Sequence, residues 1–157
     1  MATLTATRAA STVAPFTGLG AGNLCVAYGH YNLTANPTAA DVIQLCRLPK
    51  GAVVLGGWLS IEDIDSNATE EVDIDLGYPA NGVDVADPDA FGNFDVITGD
   101  AVAGYTPVAG VHMPLRGVLT DGPLTLSGET IVQAVVNVDA ATFAAGTIYA
   151  IVLYVTP

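Results

Sequence analysis

An antiparallel β-sandwich, jelly-roll rather than immunoglobulin-like, is the fold this sequence predicts, and three observations predict it. Apolar and polar residues alternate at period two around residue 74: Val72, Ile74 and Leu76 point one way, Glu71, Asp73 and Asp75 the other. That pattern belongs to a strand packed on a core with its far face wet. Gly, Pro, Asn and Asp interrupt the chain every few residues, and such frequent turns favour the jelly roll. Helical periodicity is almost entirely lacking.

Residues 1–22 are rich in Ala, Thr and Ser and then in Gly, with no sustained period, and are expected to form an extended N-terminal arm ahead of a single domain, 23–157. Leu4, Val13, Phe16 and Leu19 space apolar anchors along the arm. It is therefore expected to attach to a neighbouring subunit, with Arg8 pairing an acid there. The glycine run at 18–22 neither follows a strand nor opens a helix, so it is no dinucleotide fingerprint.

A first strand is expected from Leu24 to Leu33, with Leu24, Val26 and Tyr28 on one face. Asn36-Pro37 turns the chain into three consecutive strands. The first of these, Val42–Leu48, ends in a type I turn with Pro49 second and Gly51 fourth. The next spans about Ala52 to Ile64, with Val53, Leu55, Leu59 and Ile61 sharing a face. A polar loop, Asp63–Asn67, precedes the third. Residues 78–99 are loop-rich, and Asp87–Phe91 reads as a single helical turn with Asp87 as N-cap and Pro88 at N1. Asp121-Gly122 is a candidate hairpin turn. Two longer strands close the chain. In Thr130–Asp139, Val132, Ala134, Val136 and Val138 make one apolar face. Thr147–Val155 is apolar on both faces, as befits a central strand or one whose outer face a neighbour covers.

Hydrophobic residues make up 51% of the 157 residues and charged ones 13%, about half the roughly 25% usual in soluble domains. Part of the exterior is therefore expected to be buried against copies of the chain or a larger partner. The net charge is −12, with Arg8, Arg47, Lys50 and Arg116 the only bases. Phosphate backbones and anionic membranes need clustered cations, so neither nucleic acid nor membrane is an expected partner. No run approaches the ~18 apolar residues of a membrane span. The first sixteen residues hold no apolar leader, so synthesis in the cytoplasm is expected. Cys25 and Cys46 read as core thiols, with a cross-strand disulfide as the alternative.

Catalytic, cofactor-binding and metal-ligating residues are all expected to be absent. His30 and His112 lie in no recognisable nucleophile–base motif, and Cys25 and Cys46 make no zinc set. The acidic pairs Glu62/Asp63, Glu70/Glu71 and Asp73/Asp75 read as solvated faces rather than a glycosidase pair. Asp84, Asp87 and Asp89 could offer oxygens to Ca²⁺, but they match no EF-hand spacing and are expected to serve turns and a cap. Trp58 reads as a packing or interface residue, but with Tyr105 and the acids it could line a sugar groove, which keeps a carbohydrate- or receptor-binding fibre module as the alternative function. The sequons at Asn32 and Asn67 mean nothing without a secretory route.

The order of features resembles the small β-rich proteins that decorate tailed-bacteriophage heads. The resembling pieces are the Ala/Thr-rich arm, VIQLCRLPKGAVVL from Val42, VDIDLG ending at Gly77, DPDAFG from Asp87 and AGTIYAIVLY ending at Tyr154. The resemblance implies a non-enzymatic virion protein, dimeric or trimeric, that binds the major capsid protein on the capsid exterior and stabilises the lattice against internal DNA pressure.

Overall fold

The computed structural model describes residues 2–15, 23–67, 71–94, 111–115 and 122–156. Ten strands are described: β1 Thr3–Thr5, β2 Leu24–Leu33, β3 Val42–Leu48, β4 Val53–Ile61, β5 Asp73–Tyr78, β6 Asp87–Phe94, β7 Val111–Pro114, β8 Leu124–Thr125, β9 Thr130–Val138 and β10 Gly146–Val155. A single 3-10 turn, Thr7–Ala9, follows β1. One sheet runs β1-β3-β9-β5-β6 and the other β2-β10-β4-β7, with β8 paired to β4. Successive long strands mostly change sheets, and each four-stranded set follows the order of a jelly roll, with β1 and β8 as additions.

The predicted sandwich is present, and its core lies where period two requires. Ile43, Leu45, Leu48, Ile74, Leu76, Val132, Ala134 and Val136 reach inward from one sheet. Ala27, Leu33, Val54, Leu59, Ile61, Ile148, Ala150, Val152 and Tyr154 meet them from the other. β10 is central, paired along its length with β2 and β4, which explains why its inward alternate positions are so apolar.

Several local expectations give way. The turn after β3 is displaced by one residue. Ala52 N–H donates to Pro49 C=O at 3.1 Å, while Gly51 N–H donates to Leu126 C=O at 2.9 Å. Gly51, at φ 82°, is thus the third residue of its turn, the position where a positive φ calls for glycine. β4 is shorter than expected, and its apolar face changes phase. Register against β10 shifts between Leu153 and Tyr154. Val54 is consequently buried before the bulge and Leu59 and Ile61 after it, with Leu55 turned out. A similar shift between Asp73 and Ile74 turns Val138 out of the face that holds Val132, Ala134 and Val136.

Asp87–Phe91 is not a helical turn but the start of β6. Its pairing with β5 outweighs the local capping signal, and an irregular register between Leu76 and Tyr78 accommodates Pro88 on this edge strand. The N-terminal segment also gains structure. Thr3–Thr5 pair in parallel with Val42–Gln44, and Ala6 and Ala9 are buried. Asp121 of the candidate hairpin turn and all of residues 95–110 fall outside the described residues.

Candidate functional site

The two sheets differ sharply in charge. In the β1-β3-β9-β5-β6 sheet, Arg47, Asp73, Asp75, Asp87 and Asp89 all lie on strands. In the other sheet, β2, β4, β7 and β10 contain no Asp, Glu, Lys or Arg at all.

Strand register builds the outer face of that uncharged sheet row by row. Directly paired residues point to the same side. One row is Leu24, Val155 and Val53; a second brings Val26 beside Leu153; a third is Tyr28, Ile151 and Trp58; a fourth is His30, Tyr149 and Ser60. The bulge in β4 adds Leu55 to this side. Exposure confirms the orientation: Leu24 is 62% exposed, Tyr28 45% and Trp58 38%. Tyr149 is also exposed, and its ring lies 5.7 Å from that of His30. Tyr28 and Trp58 thus flank Ile151 in the middle of a face about 20 Å long and about 10 Å between its outer strand axes. A contiguous apolar area of this kind marks an interaction surface.

Leu24, Val26 and Tyr28 share one face, as period two predicts, and it faces solvent. Val53 and Leu55, expected beside Leu59 and Ile61, are separated from them by the bulge. The surface was missed as a unit because its three strands are far apart in sequence and adjacent only through pairing. The signal available was the absence of charge from all three.

The acidic residues that drew attention serve the fold. Asp84 receives Asn81 Nδ2 at 2.8 Å, Ser127 N–H at 3.0 Å and Gly128 N–H at 3.0 Å. These bonds, the Asn81 amide first, hold its carboxyl below the ordinary range. Asp87 and Asp89 sit apart from Asp84 in hydrogen bonding; burial and then its hydrogen bond to Asp89 push Asp87 up. Glu62 accepts Thr147 N–H at 2.8 Å, and Asp63 accepts the N–H of Asp65. No three His, Cys, Asp or Glu side chains form a metal-holding group among the described residues. Tyr105 and Glu70 lie outside those residues, as does the side chain of His112.

Two further aspartates act as clamps that the sequence did not reveal. Asp65, 1% exposed, accepts the N–H groups of Asn67, Glu71, Ala141 and Thr142 at 2.9–3.2 Å. Asp41 accepts those of Ala2 and Thr38. Cys25 and Cys46 are buried free thiols; burial pushes Cys46 up to about 12, far from a reactive thiolate. A groove of about 410 Å³ against the N-terminal segment has Arg47 in its described lining, already paired with Glu129 and the Val13 carbonyl.

No family model and no curated protein matches the chain. Solved structures do. A chain of the cyanophage Pam1 capsid asymmetric unit is 32% identical over 94% of both chains, with a TM-score of 0.66. A chain of the Ralstonia phage GP4 capsid is 22% identical over 99% of both, TM-score 0.77. One from the acidic stable capsid of Helicobacter pylori bacteriophage KHP30 is 16% identical, covers 88% of this chain and 92% of its own, and has a TM-score of 0.56. The latter two share the fold. At the identity and coverage of the first, this chain belongs to the bacteriophage capsid-protein family represented in the Pam1 capsid, and its role is structural, in the virion.

Proposed function

We propose that this capsid-family protein decorates and stabilises a bacteriophage head, binding the outer capsid lattice as a homo-oligomer rather than forming the shell. The observation that carries this reading is the uncharged, apolar outer face of β2, β10 and β4. In this domain of 157 residues with a net charge of −12, the acids among the described residues lie on one sheet and between strands. The outer face of β2, β10 and β4 is left as a surface that water solvates poorly and that association would cover. The acidic remainder keeps the exterior of a coated particle soluble and resistant to adventitious contacts. The partner of the assembled protein is the major capsid protein, and the reading assigns no chemistry to the chain.

Quantitative mass spectrometry of purified particles tests this. The chain should occur at a copy number on the scale of the lattice. Particles lacking it should keep an intact shell but release DNA at lower temperature. A copy number typical of fibres, or binding to glycans that is lost in Trp58→Ala, would favour the receptor-binding alternative. A shell that cannot form without this chain would make it the lattice subunit itself.

A further inference from the structure

We infer that the outer face of β2, β10 and β4 is the contact between copies of this chain, with Trp58 in its middle row. The inference rests on the decoration reading for its purpose and names the occupant of the surface described above.

Charge selects that occupant. Two copies carrying −12 each repel wherever acids meet. On the opposite sheet, Asp73, Asp75, Asp87 and Asp89 would face their own counterparts, and like charges forced together and dehydrated oppose association. The β2-β10-β4 face is different. None of its strands contains a charged residue, so a second copy can approach it without that penalty. A basic partner would be drawn instead to the acidic sheet and loops, which have charge to offer it. The uncharged face offers no electrostatic means of selecting such a partner. It offers the apolar rows Tyr28-Ile151-Trp58 and Leu24-Val155-Val53, aromatic at the middle, which is the composition of an interface core. Glu62, just past the end of β4, is held by Thr147 N–H and lies at the rim, where an acid can stay hydrated.

Trp58 is the only tryptophan in the chain and reports directly on the face. Wild-type protein, without capsids, should sediment as more than one copy at micromolar concentration. Its emission should move to the blue as concentration rises, in step with the mass. Val26→Glu places a carboxylate in the second row, and burying it unpaired opposes contact. Association should weaken at least about 100-fold, with the emission fixed at its dilute value. Val26 is 43% exposed, so the fold should survive, as far-UV circular dichroism and thermal melting would verify. Asn137→Glu, on the exposed surface of the other sheet, should associate as the wild type does.

A wild-type chain that stays monomeric, Val26→Glu protein that associates normally, or Trp58 emission indifferent to association would each overturn the inference. Capsid binding is read separately, by co-sedimentation with undecorated particles. Monomers that bind particles refute the self-contact, and with it the homo-oligomer, but spare decoration of the head. Oligomers that never bind particles do the reverse.

Discussion

Gly29 lies against the carbonyl of Leu45: a Cβ on Gly29 would stand 1.8 Å from that oxygen and 2.6 Å from its carbon. β2 and β3 belong to different sheets, and here the two backbones pass closely enough that only a hydrogen fits between them. The approach coincides with the break in β3 pairing between Gln44 and Cys46, where Leu45 is left out of the ladder.

Gly29→Ala should therefore be severely destabilising. The obstacle is backbone rather than a flexible side chain, so relief requires shifting one strand against a sheet whose core is already filled. A loss at the upper end of the roughly 1–3 kcal/mol usual for overpacking is expected, read as a lower midpoint of urea unfolding. A variant as stable as wild type would mean the two strands are not held this close.

Asp65 ties the loop after β4 to the turn before β10. Burial pushes its carboxyl up, but hydrogen bonds from Thr142, Ala141, Asn67 and Glu71 outweigh this and hold it below the ordinary carboxylate range. The folded value is depressed, so its contribution to stability is full above the unfolded value, about 3.9. It is lost as pH falls through the folded value. Asp65→Asn should cost about 2 kcal/mol at pH 7, a difference that narrows as acid protonates the wild-type carboxylate. A stability gap that stays constant from pH 7 down to acid unfolding would show that the charge is not what matters.

Much of the fold was legible because burial imposes period two over long runs. β2 and β3 occupy the predicted residues, and β10 differs by a single residue. What failed did so where one bulge reverses the phase. Leu55 and Val138 look like core residues in sequence and are exposed, because the partner strand, remote in sequence, determines the register. Asp65 was hidden for a related reason. In Asp63–Asn67 it looks like one more loop acid, and only the return of Ala141 and Thr142 makes it a buried clamp. The interaction face was legible as a lack of charge in three separate segments, but not as a surface until pairing brought them together.

Chelation should leave the protein unchanged. Asp84 Oδ2 accepts from Asn81, Ser127 and Gly128, Oδ1 accepts from Ser127 at 3.3 Å, and Asp87 and Asp89 run up β6 instead of converging on them. EDTA should not move the melting temperature. Asp84→Ala should lower it by untying residues 81–84 from 127–128. A large calcium-dependent rise in wild-type protein that disappears in Asp84→Ala would reveal an ion site instead.

The N-terminal segment provides the last prediction, and here structure and sequence pull in different directions. Read locally, residues 1–22 attach to a neighbour, and the truncated protein melts like the whole. In the fold, Ala6 N–H donates to Gln44 C=O at 2.7 Å and Val42 N–H to Ala2 C=O at 3.0 Å, so β1 closes the edge of β3. Leu4 packs against the core, and Ala6 and Ala9 are buried. Deleting residues 2–13 removes those bonds and opens the β3 edge to pairing with other chains. The melting temperature should fall by about 5 °C, from a loss of roughly 2 kcal/mol, and the Val42 amide should lose its protection from hydrogen exchange. A synthetic peptide of residues 2–13 added back should restore both. Unchanged melting and a Val42 amide as protected as before would mean that another part of the chain, or another copy, supplies the edge strand.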